Sequence, residues 1–218
     1  MFKDIPGAWD TFERDSIDLN RDANQDHQMP AWMFSMRVGH MIIVALIGLK
    51  KSGKTTTAEA LIREFKSRGY KVGGLKFMTL SRFTVDTEGK DTWRHKKAGA
   101  DFVVSLSEDE MAFIERREGH AKLDDAMKHI PADADILICE GLTEERPDVI
   151  RIVLAREASL LADTFKVRGI RKGVIALSGI MSNDMKGHPD YPVFNCNLPE
   201  EVSQLADLIL RESEKRSG

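Results

Sequence analysis

The chain has 218 residues, 42% of them hydrophobic and 31% charged, with a net charge of −3. That suits one ordinary globular domain with a sizeable core, and it gives no electrostatic push toward nucleic acid or an anionic membrane. No apolar run approaches the roughly 20 residues that span a bilayer, and no signal-peptide pattern opens the chain. The two cysteines, Cys139 and Cys196, form no CxxC pair. The expectation is a cytoplasmic protein with reduced core thiols, without nucleic-acid or membrane partners.

Residues 1–40 carry the whole charge surplus, seven Asp/Glu against four Lys/Arg. Their core, "RDSIDLNRDANQDHQMP", has neither helical nor strand period, with Trp9, Phe12, Trp32 and Phe34 as isolated apolar points. A disordered or loosely docked extension is expected there, and a partner-binding arm is the alternative. Residues 41–218 then alternate strand and helix. Met41–Ile47 is an unbroken apolar run, as in a central parallel strand. Ala58, Leu61, Ile62 and Phe65 mark a helix face that stops near Gly69. "KVGGLKF" is the next strand and "DTWRHKKAG" a short helix, followed by adjacent strands in "DFVVSLS" and "EMAFIER". Leu123, Ala126, Met127 and Ile130 mark a helix before Pro131. "ILIC", "VIRIVLA" and "GVIALSG" are strands, the last two separated by a helix with Ala158, Leu161, Ala162 and Phe165 on one face. Val202, Leu205, Ala206 and Ile209 close the chain on an amphipathic helix. This alternation predicts an α/β fold with a doubly wound, mostly parallel sheet and ligands beyond the carboxyl ends of its strands.

Between the first strand and helix stands "GLKKSGKT", which matches the P-loop pattern from Gly48 to Thr55 in full. Glycines at Gly48 and Gly53 let the backbone wrap so that the amides around Lys51, Ser52, Gly53, Lys54, Thr55 and Thr56 face phosphate oxygens. The helix N-terminus adds partial positive charge. Lys54 is expected to reach the β- and γ-phosphates, and the Thr55 hydroxyl to coordinate Mg²⁺. Leu49 occupies the position where related loops carry an extra lysine, and Lys50 and Lys51 are displaced from it. The second metal ligand is expected from Glu140, which ends the apolar run "ILIC" and precedes Gly141. Asp135, before that strand, reads as a turn residue.

Residues 85–100, "VDTEGKDTWRHKKAGA", gather Asp86, Lys90, Asp91, Arg94 and His95 around a glycine and a helix start. Asp91 suits a helix N-cap. A functional reading instead places Asp86 or Asp91 near Mg²⁺ or an attacking group, with Lys90 and Arg94 on phosphate. Spacing leaves both open.

In this order, "GLKKSGKTT", "RGYKVGGLK", "DTEGKDTWRHKKAGA" and "ILICEGL" resemble the molybdopterin-guanine dinucleotide biosynthesis protein B (MobB) family. The resemblance runs from Met41 to the last helix, and GKD-x-W-R-H-x-x-A-G-A is its most specific block. It implies a P-loop GTPase fold, often a homodimer. Such proteins assist a molybdopterin guanylyltransferase that attaches GMP to molybdopterin, and help pass the cofactor to molybdoenzymes. GTP, Mg²⁺ and molybdopterin are the implied ligands, with slow hydrolysis as the implied activity. By position, Lys54, Thr55, Glu140, Asp86, Lys90, Asp91 and Arg94 match the family's motifs, with Lys54, Glu140 and Asp86 as the catalytic candidates. Many members follow the second-strand lysine with a histidine-rich stretch, whereas Lys76 here precedes "FMTLS". Molybdenum and tungsten both stay open.

The residues alone leave the base open too. Guanine is commonly read by Asn-Lys-x-Asp after a late strand, and the sequence has no such motif. "SND" at Ser182–Asp184 is the nearest candidate, with a polar turn as the alternative. A P-loop small-molecule kinase and a metal-delivery GTPase are the competing functions. The second lacks a Cys/His cluster with metal-ligand spacing.

Overall fold

The apolar run after His40 becomes β1, Ile42–Gly48, and six of its seven residues are buried because it lies mid-sheet. A computed structural model describes residues 41–78, 84–117, 119–185 and 187–217, so the expectation for residues 1–40 lies outside the described residues. The other strands are β2 (Val72–Lys76), β3 (Phe102–Leu106), β4 (Met111–Glu115), β5 (Ile136–Glu140), β6 (Val149–Leu154) and β7 (Val174–Ser178). The helices are α1 (Lys54–Ser67), α2 (Asp91–Lys97), α3 (Leu123–Met127), α4 (Leu161–Arg168) and α5 (Pro199–Ser217). Five strands form one sheet in the order β2-β5-β1-β6-β7, every pair parallel, while β3 and β4 form a separate antiparallel hairpin. This is the expected P-loop-type α/β arrangement, with all five carboxyl ends at one edge. No described helix is long and apolar enough to cross a membrane.

Alternation along β1 sends Ile43, Ala45 and Ile47 into a cluster with Leu137, Cys139, Leu123 and Leu142. On α1, Leu61 and Phe65 are fully buried, each contributing about 1.5–3 kcal/mol by removal from water. The helix ends at Ser67, and Gly69 follows in the left-handed region (φ 85°), where a glycine costs least. Arg68 then ties α1 to α5 through Asp207 (2.6 Å) and the Ser203 carbonyl (3.0 Å). Val202, Leu205, Ala206 and Ile209 are all buried on α5, as their spacing predicts. Burial pushes the Cys139 thiol up to about 12.

One expectation changes. The helix face drawn through Ala158, Leu161, Ala162 and Phe165 holds in part: Leu161 is buried and Phe165 packs against the core, but Ala158 and Ala162 are exposed and Thr164 is buried in their place. A 3-10 turn, Ala158–Leu160, precedes α4, and its three residues per turn rotate the buried face away from the 3.6 period. In "VIRIVLA" the arginine does not interrupt burial. Arg151 is 4% exposed and donates to the carbonyls of Glu144 (2.5 Å), Arg146 (3.3 Å), Val149 (3.4 Å) and Lys172 (3.4 Å). Four carbonyl dipoles satisfy the guanidinium and hold the β5–β6 connection against the sheet.

The β3–β4 hairpin differs from the sheet in where its apolar residues point. Val103 is buried, but Phe102, Val104, Leu106, Met111 and Phe113 are exposed, Leu106 by 77%. Val104 faces Phe113 and Leu106 faces Met111 across the strands, so the five share one face.

Candidate phosphate-binding site

The loop from β1 to α1 has the residue types its backbone contacts demand. At Gly48 a Cβ would overlap the Leu154 carbonyl and the Ser52 hydroxyl. Gly53, the N-cap of α1, has φ 91°, and a Cβ there would lie 3.3 Å from the Gly179 Cα. Lys51 takes a left-handed conformation (φ 60°), which costs a non-glycine residue about 1 kcal/mol. Gly179 (φ 100°) follows β7, where a Cβ would strike the Ser52 carbonyl and lie 2.7 Å from the Ala155 carbonyl. The next amide, Ile180, donates to the Ser52 carbonyl at 3.3 Å. Sequence reasoning missed this brace. Its signal was the Ser-Gly pair ending "GVIALSG".

Lys54 spans the loop it follows. Its ammonium donates to the carbonyls of Leu49 (2.6 Å) and Gly48 (3.2 Å) and to Ser52 Oγ (3.4 Å). Burial lowers its pKa most, the cations of Arg168 and Lys76 add to that, and Glu140 opposes it. The first turn of α1 contains no acid, so its free amides and partial positive charge are uncompensated by the helix's own side chains. Thr55 and Thr56 lie exposed in that turn.

Glu140 ends β5 in register with Leu46 of β1 and Lys76 of β2. Thr55 Oγ1 donates to Glu140 Oε2 at 3.1 Å, and Lys76 Nζ lies 3.9 Å from the same oxygen. Gly141 (φ 80°) then turns the chain, its amide donating to the Leu46 carbonyl at 2.9 Å. A hydroxyl and a carboxylate side by side are hard oxygen donors, the kind Mg²⁺ takes. The donor set fits that ion.

The other candidates lie in residues 84–97. Asp86 accepts from the Thr92 hydroxyl (2.7 Å) and pairs with Lys96 (3.1 Å), while its amide donates to Thr84 Oγ1 (3.1 Å). The Thr92 hydrogen bond first, then the Lys96 charge, hold its carboxyl below the usual range. Its side-chain partners are therefore all in its own segment. Lys90, with extended backbone, is the N-cap of α2, so Asp91 is the first helical residue and not the cap. There it still favours the helix dipole. Asp91 and Arg94 make an exposed pair at 3.6 Å, and Lys97 lies 5.0 Å from the Trp93 ring. A hollow of about 230 Å³ opens beside α2, lined by Thr84, Trp93, Lys96, Lys97 and Arg116. The structure thus joins Gly48, Ser52, Gly53, Lys54 and Thr55 to Glu140, and sets Asp86, Lys90, Asp91 and Arg94 in a separate arm. Among the described residues no three His, Cys, Asp or Glu side chains form a metal-sized group.

Residues 43–177 match the family model described as Molybdopterin guanine dinucleotide synthesis protein B, MobB. The chain belongs to the MobB family. The molybdopterin-guanine dinucleotide biosynthesis adapter protein of Haemophilus influenzae is 30% identical over 116 residues, which cover 53% of this chain and 64% of that protein. The probable adapter protein of Bacillus subtilis is 28% identical over 78% of this chain and 95% of its own length. The crystal structure of Bacillus subtilis MobB superposes with a TM-score of 0.62 at 24% identity, covering 77% of this chain and 98% of that one. The likeness shows that the two chains share the fold described above.

Proposed function

We propose that this MobB-family chain binds Mg²⁺-GTP on the loop from Gly48 to Thr55, hydrolyses it slowly, and acts in the cytoplasm as a homodimeric adapter. Its partner is a molybdopterin guanylyltransferase, with molybdoenzymes as recipients of the finished cofactor. The observation that carries the reading is the Thr55–Glu140 hydrogen bond at 3.1 Å, beside an ammonium already held over the loop. Backbone amides and Lys54 bind the β- and γ-phosphates. Thr55 and Glu140 would hold Mg²⁺, which supplies neutralisation of phosphate charge. Slow turnover accords with the engagement of both candidate carboxylates: Glu140 is shared with Thr55, and Asp86 is engaged in the arm. The adapter role follows the names of the relatives. The exposed hairpin face is the surface offered for the homodimer, and the Trp93 hollow, with its three cationic neighbours, suits the ring and phosphate of molybdopterin.

Calorimetry with GTP, ATP and CTP plus Mg²⁺ tests the reading. GTP is expected to bind, and Lys54→Ala to lose about 100-fold in affinity, the worth of one charge-assisted phosphate contact, with an unchanged melting temperature. Preference for ATP with turnover on a small acceptor would establish a kinase instead.

A further inference from the structure

Beyond β7 the chain passes the phosphate loop at Gly179 and Ile180, makes the 3-10 turn Ile180–Asn183, and reaches Asp184. A second segment then returns beside β7: Val193 bridges Leu177, the Phe194 amide donates to the Leu177 carbonyl (3.0 Å), and Ser178 Oγ donates to the Phe194 carbonyl (2.8 Å). This brings Asn195 and Asn197 to Asn183, at the same sheet edge as the phosphate loop. Asn195, 7% exposed, donates from Nδ2 to Asn183 Oδ1 at 3.0 Å and accepts from the Asn197 amide at 3.0 Å. Its own amide donates to Glu201 Oε2 at 2.6 Å. Asn197 Nδ2 donates to the same Asn183 oxygen at 3.4 Å.

Two donors on one oxygen fix which way the Asn183 amide faces. Its NH₂ is then the group without a partner among the described residues, on an exposed side chain. The next residue, Asp184, is exposed and its carboxylate has no hydrogen bond or ion pair among the described residues. Fastening the two segments needs only Asn195, which already bonds to both. The donor of Asn183 and the acceptor of Asp184 are surplus to that task.

We infer that Asn183 and Asp184 read the edge of a guanine base whose phosphates lie on the loop from Gly48 to Thr55, with Asn195 and Asn197 as positioning residues. The inference rests on the phosphate-cradle reading above. Guanine presents an acceptor, O6, beside donors at N1 and the 2-amino group. Adenine presents the reverse order, a donor at N6 beside the acceptor N1. An amide NH₂ next to a carboxylate meets the first order and leaves unpaired groups against the second, which is where discrimination arises.

The test is calorimetry on the full chain with Mg²⁺ and GTP, ATP or xanthosine triphosphate, comparing wild type, Asn183→Ala, Asp184→Asn and Lys54→Ala. Wild type is expected to prefer GTP to ATP. Asp184→Asn should lose about 30-fold for GTP and gain for xanthosine triphosphate, because an amide can donate to the xanthine 2-oxo group. Asn183→Ala should lose about 10-fold for GTP with ATP unchanged. The gain for xanthosine triphosphate is a result that misfolding cannot produce. Unchanged GTP affinity in both variants, or equal wild-type affinity for GTP and ATP, overturns the inference while Lys54→Ala keeps the cradle. Absence of triphosphate binding by wild type overturns the cradle reading, and this inference with it.

Discussion

Around the phosphate loop, backbone lies on backbone: Gly53 sits against Gly179, and the Ile180 amide bonds the Ser52 carbonyl. In residues 84–117 the ties between α2 and its neighbours are made by side chains, with Asp86 on Thr92 and Lys96, and Arg116 on the Lys96 carbonyl at 2.9 Å. The first region tolerates no added atom. The second tolerates exchange of partners but depends on charge. Close backbone approach forces a residue type and so leaves a motif that geometry explains, whereas the pairing of Asp86 with Thr92 and Lys96 could be met by other residue types, so the motif there is not explained by packing alone.

Substitution at the brace should have the largest effect. Gly179→Ala places a methyl against two carbonyls in a left-handed conformation, and a loss of about 3 kcal/mol in unfolding free energy is expected, with GTP binding abolished. Denaturant unfolding and calorimetry check it. A near-neutral result would mean that the loop does not depend on its neighbour. The hairpin comes next. Leu106→Ser with Phe113→Ser should convert the proposed homodimer to monomer in light scattering while GTP affinity shifts less than about 2-fold, since both side chains are exposed and outside the loop. A collapse of nucleotide binding would show that the two regions are coupled.

The smallest effect concerns pH. The folded pKa of Asp86 lies below the unfolded value of about 3.9, so its contribution is complete above that pH and is lost as pH falls through the folded pKa. NMR signals of residues 91–97 should therefore loosen below about pH 4, while sheet signals hold. Asp86→Asn should reproduce the loosening at neutral pH with hydrolysis within about 2-fold. A ten-fold fall in hydrolysis would bring Asp86 into the reaction, as its motif position implies.

β1, β5 and β7 were legible because each is a short apolar run, and α1 and α5 because their faces repeat at helical spacing. Glu140 was legible because a carboxylate ends such a run. What escaped was set by contacts between distant residues. Gly179 resembles any glycine after a strand until the fold brings Ser52 to it. The Asn183–Asn195–Asn197 cluster spans two segments with no fixed spacing. The Ala158 and Ala162 face failed because a 3-10 turn has its own period. The burial of Arg151 was not legible, since the four carbonyls that receive it come from two connections and from the start of β6 itself.

Cys139 precedes Glu140 on β5, fully buried and with its thiol pushed up to about 12. A reagent reaches that sulfur only when the strand bearing Glu140 parts from its neighbours. Alkylation of Cys139 is therefore a built-in clock: its rate counts the openings of the sheet, and any slowing on addition of GTP and Mg²⁺ measures how far the nucleotide holds the sheet shut.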